Sequence, residues 1–236
     1  MQNIKFMPFS KEAELINNPP KPSSSFMPIW YKLMPKFIQD QKEFNINLKN
    51  GSSNATAKWC APFMDSFTMG YTLSLDVDLF VSRNEHDFPY FHSNTQQRYV
   101  GNQEHDQHKG MPFSDEYFPV VFKWINNWVI DLPKGYSLYC THPANRFDLP
   151  FQTMNGVVDV DGYPNALLFP FLMKKNFVGV IEAGTPIVQV IPFKRESWNS
   201  KVFKFNPDEV FKRINSFSKK IYRSYKKQFW NKKIFN

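Results

Sequence analysis

Two carboxylates and a phenol fall within five residues in the run GVVDVDGY, residues 156–163: Asp159, Asp161 and Tyr163. A carboxylate at a hairpin end beside an aromatic ring can orient a water against a bound sugar phosphate. The same acids in a tight turn can instead bond to nearby amides and do no chemistry. A second concentration lies in residues 83–118, which hold His86, His92, His105 and His108, four of the five histidines. In Glu104-His105-Asp106-Gln107-His108 the two histidines stand three apart and would share one face of a helix. With His92 arriving from a neighbouring strand, His92, His105 and His108 are the candidate ligands of a divalent metal, and Glu104 or Asp106 could complete the set. The stretch lacks a His-x-His pair, and a solvated loop rich in His, Asn and Gln accounts for it as well.

The elements that must position the acids lie in residues 131–193, from DLPKGYSLY through GVVDVDGYPNALLFPF to GTPIVQVIPF. Pro133-Lys134-Gly135, Gly156, Gly162 and Gly184 punctuate β-rich runs, which predicts consecutive strands of one β-unit. The composition agrees. Of 236 residues, 42% are hydrophobic, with 25 Phe, 10 Tyr, 6 Trp and 18 Pro, a balance that favours strands joined by rigid turns over a helix bundle. Cys60 and Cys140 are too few for a disulfide framework and read as reduced thiols of an intracellular protein. The N-terminus has no apolar signal region, and no window approaches a transmembrane span, so a soluble protein of the cytoplasm or of a larger particle is expected.

Residues 1–35 carry Pro8, Pro19, Pro20, Pro22, Pro28 and Pro35 and predict an extended arm, with Ser10 capping one short helical turn. The arm either packs over the body or docks on another chain. Phe44, Ile46 and Leu48 alternate in a predicted strand, Glu43–Leu48, and Asn50-Gly51 signals a hairpin. Leu73, Leu75, Val77 and Leu79 alternate with polar residues in a half-buried strand that would leave Asp76 and Asp78 as solvated edge carboxylates. FPVVFKWINNWVI, residues 118–130, predicts a strand with one buried face that turns at Asn126-Asn127, with Trp124 and Trp128 in the core.

Charge is concentrated at one end. Residues 194–236 hold 13 Lys and Arg against 3 Asp and Glu, a balance of +10, while the rest of the chain is close to neutral. Asn206-Pro207-Asp208-Glu209 is a helix start, and Val210, Ile214, Phe217, Ile221, Tyr225 and Phe229 recur at steps of three and four. One long amphipathic helix is expected to Trp230, with a basic face that includes Lys212, Lys219, Lys220, Arg223 and Lys227. That face can be a solvated lid or contact an acidic partner, nucleic acid or anionic lipid.

Two resemblances follow from these motifs. KxCxPFxDxxxxGY from Lys58, KWINNWVI from Lys123, LPKGYS, GVVDVDGY and GTPIVQVIPFKRESW together resemble an uncharacterised domain-of-unknown-function family of marine phages and bacteria. That likeness implies a phage context, in the host cytoplasm or on the virion, and no mechanism. Locally, the P-x-G-Y strand, the G-V-V-D-x-D hairpin and the G-x-x-I-x-Q strand are similar to the β-clip pattern of dUTPases and dCTP deaminases. The likeness implies that Asp159 activates a water and Tyr163 stacks under deoxyribose. His142, Arg146 and Asp161 would then hold the ligand. His142-Pro143-Ala144-Asn145-Arg146 stands where that pattern has Pro-Arg-Ser, Gly162 is an insertion before Tyr163, and the glycine-rich terminal arm is missing.

The expectation is a mainly β fold, a β-sandwich or β-clip-like barrel over residues 36–205, with the Pro-rich arm over 1–35 and the basic helix over 206–236 packed on the domain. Function follows three lines: a binding or assembly protein acting through arm and helix, as a homo-oligomer or with a phage structural partner; a nucleotide-binding or nucleotide-hydrolysing protein; or a metal-dependent enzyme with a His-rich loop site.

Overall fold

The computed structural model describes residues 2–16, 18–47, 52–103, 105–218 and 224–236; for residues 40, 105, 216–218, 224 and 227 only the backbone is described. The chain forms two compact units. The first comprises residues 1–28, 67–195 and 235–236, and the second residues 29–66 and 196–234.

The fold is mainly β. Fourteen strands are described: β1 (Lys5–Pro8), β2 (Lys21–Pro22), β3 (Tyr71–Ser74), β4 (Leu79–Arg83), β5 (Pro89–His92), β6 (Val100–Asn102), β7 (Phe122–Ile125), β8 (Trp128–Asp131), β9 (Tyr136–Thr141), β10 (Phe151–Thr153), β11 (Gly156–Val158), β12 (Leu168–Met173), β13 (Gly179–Ile181) and β14 (Pro186–Lys194). They pair antiparallel in four sheets, ordered β1-β8, β10-β12-β7-β6, β11-β9-β14-β3-β2 and β13-β4-β5. Among the described residues no sheet closes into a barrel, which corrects the barrel expectation: the longest strand pairing, β9 with β14, lies inside an open five-stranded sheet.

Alternation explains which residues enter the core of the first unit. On β7 and β12, Phe122, Trp124, Phe169, Phe171 and Met173 are buried while their neighbours are not. Trp124 stacks on Phe171 with ring centroids 3.8 Å apart, and Phe151 meets Trp124 edge-on at 4.9 Å. The indole N–H donates to the hydroxyl of Thr153 at 3.2 Å, which donates in turn to the Ile187 carbonyl at 2.5 Å. Leu138, Cys140, Val188 and Val190 of the five-stranded sheet belong to the same buried cluster. Both Trp124 and Trp128 are buried, as expected. Gly70 allows the turn before β3 to press on β14: its φ is +70°, and a Cβ there would lie 2.1 Å from the Val190 carbonyl oxygen.

The arm is stitched into this unit over its first 28 residues. β1 pairs with β8 and β2 with β3, and the Ser23 hydroxyl accepts from Thr72 at 2.9 Å in a buried site. Helix α1 (Lys11–Ile16) forms where expected, with Ser10 Oγ accepting from the Ala13 amide at 3.1 Å. The predicted single strand across Leu73–Leu79 is two, because the chain turns at Asp76-Val77. Asp76 is correspondingly not a solvated edge group: it accepts from Asn18 at 2.9 Å and Asn127 at 2.7 Å, while Asp78 accepts from the Ala183 amide at 2.7 Å. The turn at Asn126-Asn127 separates β7 from β8, which join different sheets.

In the second unit, helix α2 (Ile29–Leu33) and helix α3 (Ala61–Thr68) bring Trp30, Tyr31 and Phe63 together. The described part of the predicted strand Glu43–Leu48 is not a strand: it meets residues 52–54 through the isolated antiparallel Ile46–Ser53 bridge, and Leu48 and the Asn50-Gly51 turn lie outside the described residues. Asp65, 6% exposed, accepts from Trp230 at 2.8 Å and pairs with Lys233 at 2.7 Å. Helix α4 (Pro207–Ser218) starts as predicted, with Asn206 Oδ1 accepting from Asp208 and Glu209 amides at 3.1 and 3.3 Å. One long helix to Trp230 is not supported. The described helical residues are α4 and the five-residue α5 (Ser224–Gln228), with 219–223 outside the description and 231–236 non-helical. Among the described residues no helix is long and apolar enough to cross a membrane.

Candidate functional site

The two acids of the hairpin are held where β9, β11 and the end of β14 meet. β11 pairs with β9 so that Val158 faces Leu138, which puts the next residue, Asp159, beside Ser137. Ser137 donates its hydroxyl to Asp159 at 2.5 Å. The Gly135 amide donates to Asp161 at 2.7 Å, and the Arg195 amide donates to the Gly135 carbonyl at 2.9 Å. That register delivers the Arg195 guanidinium to both acids: Nη1 lies 2.9 Å from Asp161 and 3.3 Å from Asp159, and Nη2 pairs with the second Asp161 oxygen. The Arg195 guanidinium, then the Gly135 amide, hold the Asp161 carboxyl far below the usual carboxylate range, and the pair raises Arg195 in return. Asp161 is 10% exposed and Asp159 66%. The cluster is a structural clasp between β9 and β14, with the exposed Asp159 already engaged by Ser137 and Arg195. Tyr163, 43% exposed, lies beyond the turn.

His142 and Arg146 sit past the other end of β9. Five residues separate Ser137 from His142, so along an extended strand the two groups are roughly 16 Å apart. The constellation Asp159, Tyr163, His142 and Arg146 is therefore not gathered into one site. His142 Nδ1 accepts from the Thr153 amide at 3.2 Å, which leaves Nε2 protonated and donating to the Arg146 carbonyl at 3.1 Å. Burial holds this imidazole below its usual pKa. Arg146 grips Asp148 with contacts of 2.8 to 3.1 Å; burial opposes ionisation of Asp148, but the guanidinium outweighs it and the carboxyl is depressed. Gln189, 2% exposed, closes the loop by accepting from the Ala144 amide at 3.0 Å and donating to the Met69 carbonyl at 2.6 Å. The Gln of the G-x-x-I-x-Q strand is thus a buried cross-link.

The histidines go to different partners. His92 lies on β5 between two rings, stacked at 5.2 Å from Phe80 and 5.7 Å from Tyr90. His108 bonds to Gln103 at the end of a short 3-10 turn, His105–His108. Glu104 and the His105 side chain lie outside the description. Among the described residues no three His, Cys, Asp or Glu side chains come together to hold a metal ion.

Around His92 a cleft of about 510 Å³ is lined by Tyr90, His92, Gln96, Arg98 and Asn102, among others. A second cleft of about 270 Å³ joins Arg146, Lys174, Tyr117 and Gln152 with Glu116. In the C-terminal region Lys212 is exposed on α4, while Lys219, Lys220 and Arg223 and the Lys227 side chain lie outside the description. Large apolar side chains there are open to solvent: Trp198 at 87%, Phe203 at 83%, and Val202, Phe205, Phe211 and Ile214 above half.

No family model matches this chain, and no curated protein matches its sequence. Sequence reasoning overlooked Arg195, which the pairing of LPKGYSLY with PIVQVIPFKR could have placed opposite Gly135. It also overlooked the ring row, although Tyr90 and His92 alternate with Pro89 and Phe91 in the sequence.

Proposed function

We propose that this is a binding or assembly protein whose segment 196–214 docks on a partner surface that is apolar at its centre and acidic around it. One observation carries the reading: Trp198, Val202, Phe203 and Phe205 are all exposed and interleaved with Lys201 and Lys204. Scattered exposed apolar residues are ordinary, but a continuous run of large ones marks an interaction surface. Trp and Phe anchors supply most of the affinity of an interface, and surrounding lysines steer an acidic partner. Helix α4 continues the surface with Phe211 and Ile214. The arm contributes less to the proposal, since β1 and β2 are already paired within the first unit.

The test compares the intact chain with Trp198→Ser/Phe203→Ser/Phe205→Ser by light scattering and co-purification. The unsubstituted protein is expected as an oligomer or in a complex with an acidic partner that weakens with salt. The variant is expected as a folded monomer with unchanged Tm. A complex that survives the three substitutions, or an intact chain that is monomeric and unbound, overturns the reading.

A further inference from the structure

The sheet β13-β4-β5 carries a row of rings on one face. Its hairpin is fixed by Asn84, whose side-chain oxygen accepts from the His86 and Phe88 amides at 3.0 and 2.9 Å. The register sets Phe80 opposite His92 and Ser82 opposite Tyr90. Alternation buries Leu79, Val81 and Pro89 and turns Phe80, Tyr90 and His92 to the other side. Their rings form one row, near-parallel at 17° and 26° between neighbours, and Tyr90 at its end is 58% exposed. Tyr90 and His92 line the cleft of about 510 Å³, a volume within the ordinary range for small-ligand sites.

The rest of the cleft is polar and carries open valences. The side chains of Gln96 and Asn102 make no hydrogen bond among the described residues, and each presents a donor and an acceptor. Arg98 is anchored by its Nε donating to the Val100 carbonyl at 2.7 Å, which leaves its Nη donors for an anion. Among the described residues no Asp or Glu lines the cleft. We propose that this cleft binds a nucleobase, in a mononucleotide or in single-stranded nucleic acid: the base extends the Phe80–His92–Tyr90 row, the free amides meet its edge, and Arg98 takes the phosphate. A stacked aromatic row beside amide side chains and a cation is the combination by which unpaired bases are held. A neutral sugar ring on Tyr90 would accept hydrogen bonds from Arg98 but bring no charge to pair with its guanidinium.

The cleft shares no residue with segment 196–214, and the experiment tests the two independently. Binding of AMP by titration calorimetry, and of a labelled eight-nucleotide single strand by anisotropy, is measured in the full chain and in the triple serine variant. The second background matters because the basic region can hold a strand through phosphates alone. Both ligands are expected to bind in both backgrounds. Tyr90→Ala is expected to weaken each roughly ten-fold, Tyr90→Phe to stay within about two-fold, and Arg98→Ala to weaken AMP more than adenosine. Comparable affinity for both ligands points to free nucleotides, and a preference for the strand to nucleic acid; either supports base recognition. No binding of either ligand, binding indifferent to Tyr90→Ala, or Tyr90-dependent binding of a neutral oligosaccharide alone overturns the proposal.

Discussion

The clasp at Asp159, Asp161 and Arg195 and the cleft at Tyr90, His92 and Arg98 are two polar clusters of the first unit. They differ in what remains unsatisfied. Each Asp161 oxygen has a guanidinium partner, and one also takes a backbone amide; Asp159 is bonded to Ser137; Arg195 is shared among all of them. In the cleft, Gln96, Asn102 and the Arg98 Nη atoms keep their hydrogen-bonding capacity beside rings that water already reaches. A cluster that completes its own hydrogen bonds stabilises the fold; one that leaves them open has something to offer a ligand.

The comparison can be broken, beginning with the largest expected effect. Gln189→Ala would leave the Ala144 amide and the Met69 carbonyl unpaired in a buried site and should cost about 3 kcal/mol in urea unfolding. If it instead weakened AMP binding without loss of stability, the β9–β14 side would be the ligand site.

Arg195→Met should lower Tm by several degrees at neutral pH, since it leaves two carboxylates facing each other. Asp161 is depressed in the folded state, so its contribution is complete above the ordinary aspartate pKa of about 4 and is lost as pH falls below it. Thermal scans of the two proteins should therefore converge in acid. Parallel curves down to pH 2 would show that Arg195 does not act through this pair.

His142 follows the same sign for a different group. Its folded pKa is lowered by burial, so the wild type should lose stability as pH drops below about 6.5, when protonation removes the acceptor for the Thr153 amide. His142→Asn keeps an acceptor near the Nδ1 position; it should cost about 1 kcal/mol at pH 7.5 and flatten this dependence. The smallest effect on stability belongs to the cleft. Tyr90→Ala should change unfolding free energy by no more than about 0.5 kcal/mol, while it removes most nucleotide affinity; a large stability loss would make the ring row a structural feature like the clasp.

Much of this was legible locally. The Ser10 and Asn206 caps, the buried Trp124 and Trp128, the β character of residues 131–193 and the start of α4 each depend on a few neighbouring residues, and each formed as the pattern indicated. The neighbours of His92 and His108, two of the three candidate metal ligands, were set by non-local contacts. The β4–β5 register put Phe80 and Tyr90 beside one, and a turn put Gln103 beside the other. Asp159 and His142, grouped in the nucleotide reading, lie apart because β9 is extended: Asp159 is beside Ser137 near its start and His142 follows its end. The long-helix reading extrapolated an apolar period that packing alone could confirm.

By itself the sequence determined that this chain is rich in strands, that its charge is concentrated after residue 193, and which side chains alternate toward a core; periodicity and composition are properties of neighbours. Only the tertiary structure decided which polar groups would be used up and which left open. Arg195 reaches Asp161 across 34 residues of chain, and Phe80 reaches His92 through strand register, and a hydrogen bond or a stacked ring between distant residues exists only once the sheets have formed.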